Sequence, residues 1–173
     1  EMTGTIVPIG VWVFRQACRA EADWRARWAE RAPYVSVNVS ARQLNDESLA
    51  DDFAAILHET GADPARLLLE ITETSLMADI ETNLRVLRRL ADLGLRVAVD
   101  DFGTGYSSLA QLTRLPVNVL KIDRAFIDGI DKSEESRTVI RAVIGLGRVL
   151  GLKVVDEGVE NGGHQRELCA YGY

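Results

Sequence analysis

R-V-A-V-D-D-F-G-T-G-Y-S-S-L, residues 96–109, is the stretch around which the chain is organised. It starts as an apolar strand, Val97-Ala98-Val99, and runs into two adjacent carboxylates, Asp100 and Asp101. A glycine-punctuated turn follows, Gly103-Thr104-Gly105, and Ser107-Ser108 mark a helix start. A buried strand cannot simply end in two carboxylates. Each carries a heavy desolvation cost unless a cation or a set of donors meets it. Two readings are open from this stretch alone: aspartates that cap a local turn, or oxygen ligands of a metal ion.

The flanking chain repeats the same strand-then-helix unit. Upstream, residues 6–28 read as a helix with Pro8 in its first turn and Val11, Phe14, Cys18 and Ala22 along one side. Tyr34 to Val39 alternates with period two, a strand signal. Asn45-Asp46 opens a helix carrying Leu49, Phe53, Ile56 and Leu57, and Gly61 stops it. Leu67 to Ile71 is almost unbroken in its apolar character, as in a strand covered on both faces. A helix over 79–93 follows and ends at Gly94. Downstream come a short helix over 107–114, a strand at Val119 to Asp123 and a long helix capped by Ser133. A last strand at Lys153 to Glu157 and a short helix over 164–170 complete the pattern. Five strands alternate with helices and no linker intervenes. The pattern predicts one α/β domain with a parallel sheet, open or closed into a barrel.

Composition narrows the chemistry. The chain has 173 residues, 47% of them hydrophobic and 27% charged, as in an ordinary soluble domain. Its net charge of -6 disfavours nucleic acid as a partner, because backbone binding needs a basic surface. Cys18 and Cys169 form no CxxC motif and no disulfide framework, which predicts reduced thiols and a cytoplasmic location. No signal peptide or membrane-spanning run is visible, so no membrane insertion is expected in this segment. His58 and His164 are isolated and expected at the surface, which leaves oxygen ligands for any metal and favours Mg²⁺ or Mn²⁺.

The polar residues that interrupt the apolar strands all fall at strand C-termini: Asn38, Glu70, Asp100 with Asp101, Lys121 with Asp123, and Glu157. In parallel α/β folds those ends are neighbours and carry the active site. Each residue alone has an ordinary structural explanation, but five strand ends on one face require repeated coincidence. Four carboxylates and one amide suit two hard divalent ions, which at roughly 3.5–4 Å apart clamp a phosphoryl displacement. Lys121, the lone cation, is placed to orient a hydroxide or stabilise phosphate charge. Metal-assisted phosphoester hydrolysis is the resulting expectation. A Schiff-base aldolase using Lys121 is the runner-up, disfavoured because nearby carboxylates raise a lysine pKa. Asp101-Phe102-Gly103 matches the kinase DFG motif, but no HRD-type loop precedes it.

Five segments then carry a family resemblance: V-S-V-N-V-S-A-R-Q at 35–43, L-E-I-T-E-T at 69–74, D-D-F-G-T-G-Y-S-S-L at 100–109, L-P-V-N-V-L-K-I-D-R at 115–124 and D-E-G-V-E at 156–160. Together they resemble the EAL domain, over essentially the whole chain. The resemblance implies a bacterial signal-transduction enzyme, a phosphodiesterase that cuts cyclic di-GMP to linear pGpG. It implies a TIM-like (β/α) barrel with two Mg²⁺ or Mn²⁺ ions. Asn38, Glu70, Asp100, Asp101 and Glu157 match the family's metal positions, with Asp100 as bridge. Lys121 matches the lysine that holds the nucleophilic water, and Glu157 and Asp101 share the catalytic shell. Glu73 matches the glutamate that steadies the loop Phe102, Gly103, Thr104, Gly105, Tyr106, Ser107 and Ser108. The family also implies a homodimer, with sensory or diguanylate-cyclase domains in the parent chain.

The sequence departs from the family at several points. The Glu-Ala-Leu tripeptide is absent, and 173 residues are short of the roughly 250 of a typical eight-stranded barrel. Residues 1–173 are therefore expected to be a single partial EAL domain, lacking the first strand and the C-terminal end of the barrel, and weak or inactive alone. Asp156 stands where the family more often has a small apolar residue. A cyclic-di-GMP sensor that no longer cuts is the competing expectation, and a purely structural role is a third. Intact metal positions and an intact loop favour the enzyme.

Overall fold

In the computed structural model, residues 5–104, 109–159 and 161–172 are described. The first helix, α1 (Ile6–Trp28), buries Gly10, Phe14, Cys18 and Glu21, one stripe at helical spacing. After it come β1 (Val35–Asn38), α2 (Ala41–Leu44), α3 (Leu49–Thr60) and β2 (Leu67–Thr72). Phe14 stacks flat on Phe53 of α3, with ring centroids 3.6 Å apart, and this pair joins the two helices. The chain continues through α4 (Glu73–Ala78), α5 (Ile80–Asp92), β3 (Arg96–Phe102), α6 (Leu109–Leu112) and β4 (Val119–Ile122). It ends with α7 (Arg124–Asp128), α8 (Glu134–Leu150), β5 (Lys153–Asp156) and α9 (Gly162–Ala170).

The five strands form one parallel sheet in the order β1-β2-β3-β4-β5. This is the α/β architecture that the sequence predicts. Alternate residues Leu67, Leu69, Ile71, Val97, Val99, Leu120 and Ile122 are fully buried in the main core. Period-two alternation sends their neighbours to the opposite face, where Glu70, Asp100 and Lys121 lie. Strand register then sets the polar residues side by side: Asn38 pairs with Glu70, and Thr72 pairs with Asp100. Helix ends follow their sequence signals. Ser133 accepts a hydrogen bond from Ser136 N at 3.2 Å, and Gly151 closes α8 at φ +68°.

Several expectations are adjusted. The central strand, expected to end in the two carboxylates, runs on through them to Phe102, with a register shift against β4 between Val99 and Phe102. Glu73 does not extend β2; it opens α4, with Thr72 as its cap. The helix expected from Asn45 starts at Leu49, and Asp46 instead accepts hydrogen bonds from Ser48. The short α2, α4 and α7 were not foreseen. His164 is buried rather than superficial, with Nε2 lying 3.2 Å from Asp131 Oδ2. Of the helix expected over 107–114, α6 is described, while Gly105, Tyr106, Ser107 and Ser108 lie outside the described residues.

Candidate active site

Lys121 lies at the centre of the polar face. It is supplied by β4, whose four residues are all buried, and only 7% of its side chain is exposed. Its Nζ is 2.8 Å from Glu70 Oε2, 3.0 Å from Asp100 Oδ1 and 2.6 Å from Glu157 Oε1. Burial alone would push the ammonium toward neutrality. The contacts with Glu157, Glu70 and Asp100 outweigh it and hold the lysine above its ordinary pKa. These contacts favour the charged ammonium, which counts against Lys121 as a Schiff-base nucleophile.

Glu70, Asp100 and Glu157 each offer an oxygen within 4.8 Å of the others, a spacing compatible with shared coordination of an ion. The three come from β2, β3 and the residue after β5. Glu157 is the most accessible, with 45% of its side chain exposed. Asp100 Oδ1 is buried, and among the described residues the Lys121 ammonium at 3.0 Å is what meets it. It keeps acceptor capacity that a cation would satisfy. All these donors are hard oxygens, so the set fits Mg²⁺ or Mn²⁺. Asn38, exposed at the end of β1, lines a cleft of about 270 Å³ with Ser40, Gln43, Glu70, Thr72 and Ser75.

Asp101 adopts φ +53°, in the left-handed region, within the bulge of β3. In a regular strand, two successive side chains would face opposite sides of the sheet. Bulges re-aim side chains near functional sites, and Asp101 feels the site's charges directly. Burial raises its pKa, and Asp100, Asp123 and Glu157 raise it further, against the opposing effect of Lys121. Asp101 is not part of the tight three-carboxylate set. Asp123 is spoken for locally, as it caps α7 by accepting from Ala125 N at 2.7 Å.

The loop after the paired aspartates is tied to α4. Buried Glu73 accepts a hydrogen bond from Gly103 N at 3.0 Å. Gly103 sits at φ +103°, and a Cβ there would come within 3.1 Å of Val139 and 3.2 Å of Phe126, so both conformation and space call for glycine. Phe102 is buried, and the Thr104 hydroxyl donates to Asp101 O at 2.8 Å. Gly105 to Ser108 are outside the described residues, and their placement relative to the site is not part of this geometry. The sequence reading missed Ser40 and Gln43 of the cleft. Their signal was present: Ser40-x-x-Gln43 is a capping-box pattern, and the structure forms that box.

A parallel α/β sheet with a buried lysine among carboxylates at its strand C-termini defines an α/β domain with an acidic candidate metal centre. The chain belongs to the EAL domain family, whose model matches residues 1–173. It is 40% identical over 176 residues to the bifunctional diguanylate cyclase/cyclic di-GMP phosphodiesterase MucR of Pseudomonas aeruginosa. That match covers 99% of this chain and 25% of the relative. A solved structure of the PaMucR phosphodiesterase in a c-di-GMP complex superposes with a TM-score of 0.94 at 40% identity, covering 99% of this chain and 69% of that one. A manganese/cy-diGMP complex of Klebsiella pneumoniae BlrP1 gives 0.78 at 25% identity, over 94% of this chain and 42% of that one. The sheet is thus part of the TIM-like (β/α) barrel of EAL type. The chain spans 20% of the length of a curated relative from Sinorhizobium fredii and 25% of that of MucR.

Proposed function

We propose that this protein hydrolyses cyclic di-GMP to linear pGpG at a two-metal site. The observation that carries the reading is the convergence of Glu70, Asp100 and Glu157 on Lys121, within a chain of the EAL family. Glu70, Asp100 and Glu157, with Asn38 and Asp101, would hold two Mg²⁺ or Mn²⁺ ions. When bound, the ions acidify the attacking water and neutralise phosphate charge. Lys121, whose carboxylate contacts favour its charged form, orients that water by hydrogen bonding. Asp101 and Glu157 are the carboxylates available to accept the water's proton. The water oxygen bonds to phosphorus and the P–O3′ bond breaks. The 3′ oxygen leaves as a hydroxyl by taking up the proton that the carboxylate accepted from the water, and the 5′-phosphate stays on the linear product. Glu73, through Gly103 N, steadies the turn that follows the paired aspartates.

Cytoplasmic signalling, a homodimer and attached sensory or diguanylate-cyclase domains belong to the same reading. No helix among the described residues is long and apolar enough to cross a membrane. The test is chromatography of cyclic di-GMP incubated with the full-length protein and Mg²⁺ or Mn²⁺. Conversion to pGpG is expected, with loss of at least 100-fold in kcat for Asp100→Asn, the size of a missing transition-state charge contact. Tight nucleotide binding with no turnover by the wild type would replace the enzyme reading with a sensor.

A further inference from the structure

The three protons of an ammonium and the coordination sphere of a divalent ion draw on the same lone pairs here. Lys121 Nζ lies 2.6–3.0 Å from one oxygen each of Glu70, Asp100 and Glu157. These are the three carboxylates whose oxygens also approach one another closely enough to bind one cation. We infer that Lys121 is a built-in competitor for the divalent ions: it holds the three carboxylates together without metal and lowers the site's metal affinity. The inference rests on the proposed metal-dependent reading of the site and concerns its regulation.

Two physical effects act in the same direction. Like charges repel strongly at short range in a partly buried site, so a nearby ammonium weakens cation binding. A metal must also compete for oxygens already engaged by that ammonium. Glu157 is the donor that can adjust. It makes the shortest contact with Lys121, yet 45% of its side chain is exposed, and it follows the last strand rather than lying within it. Glu70 and Asp100, more deeply set on β2 and β3, keep the other two oxygens in place. The same lysine therefore prevents mutual repulsion of three clustered carboxylates and keeps the metals exchangeable. Site occupancy then follows the free concentration of divalent ion instead of saturating at trace levels.

The test is Mn²⁺ titration of the full-length protein followed by the electron-spin resonance of free Mn²⁺, on wild type, Lys121→Met and Lys121→Gln. Both variants are expected to bind Mn²⁺ at least ten-fold more tightly than wild type. In chelator both should melt below wild type, with a larger rise on adding Mn²⁺. Equal or weaker Mn²⁺ affinity in variants that melt cooperatively overturns the inference. If neither variant melts cooperatively in chelator, Mn²⁺ must restore a cooperative melt in them, and failure to do so overturns it as well. These readouts need no nucleotide. Wild type that binds Mn²⁺ but leaves cyclic di-GMP intact sinks the phosphodiesterase reading alone. Wild-type hydrolysis with unchanged Mn²⁺ affinity in the variants sinks this inference alone.

Discussion

Asp101 combines a left-handed backbone with a raised pKa. Burial is the main cause of the shift, followed by the charges of Asp100, Asp123 and Glu157. For an acid raised above its ordinary value of 3.8, the stabilising contribution is present below that pH and is lost as pH rises through the folded value. At neutral pH the ionised Asp101 therefore works against the fold. Asn is tolerated in the left-handed region and carries no charge. Asp101→Asn in chelator is expected to raise Tm at pH 7, because it removes the charge that burial and the neighbouring carboxylates disfavour. Calorimetry at several pH values should show this gain shrinking toward pH 3.8; a lower Tm, or a gain independent of pH, would contradict the account. The chemistry of Asp100 and Asp101 as carboxylates is readable from sequence. Their unequal placement is not, because the backbone bulge that separates them depends on pairing with β4.

Longer elements were legible because they repeat. α1, α3, α5 and α8 each carry an apolar stripe with its stop or cap signal, and the five strands carry period-two or unbroken apolar runs. The short α2, α4 and α7 have four to six residues each, less than two helical turns, so no periodicity can build up. Their caps were the available signal. Between long elements, close approach sets the constraints. Gly147 of α8 is buried, and a Cβ there would lie 2.4 Å from Val154 Cγ2 of β5 and 3.3 Å from Leu152 O. In an open helix, Gly→Ala gains about 1 kcal/mol. Here the short branched valine cannot swing away, and overpacking costs about 1–3 kcal/mol. Gly147→Ala is expected to lower the urea midpoint with an unchanged slope. A higher midpoint would show that α8 shifts freely over β5.

At the scale of the whole molecule, charge decides what the site can accept. The chain carries a net charge of -6, and its polar face sets three carboxylates against one lysine. A cyclic dinucleotide brings two more negative phosphates, which this field repels unless divalent ions intervene. Replacing Mg²⁺ by EDTA is expected to weaken binding of a phosphorothioate analogue of cyclic di-GMP to the full-length protein at least ten-fold. An unchanged Kd by calorimetry would mean that the nucleotide is held by contacts outside the acidic centre. By itself, the sequence determined the alternation of elements, the parallel α/β class and the polar residues at the strand ends. Those features are local, written in periodicity, caps and chain order. Only the tertiary structure decided that Lys121 touches Glu70, Asp100 and Glu157 at once, that Asp101 stands apart from that set, and that His164 is buried against Asp131. Those contacts join residues from separate strands and helices. Strand register, one bulge and the packing of helices on the sheet set their distances, and none of these is a property of a local stretch.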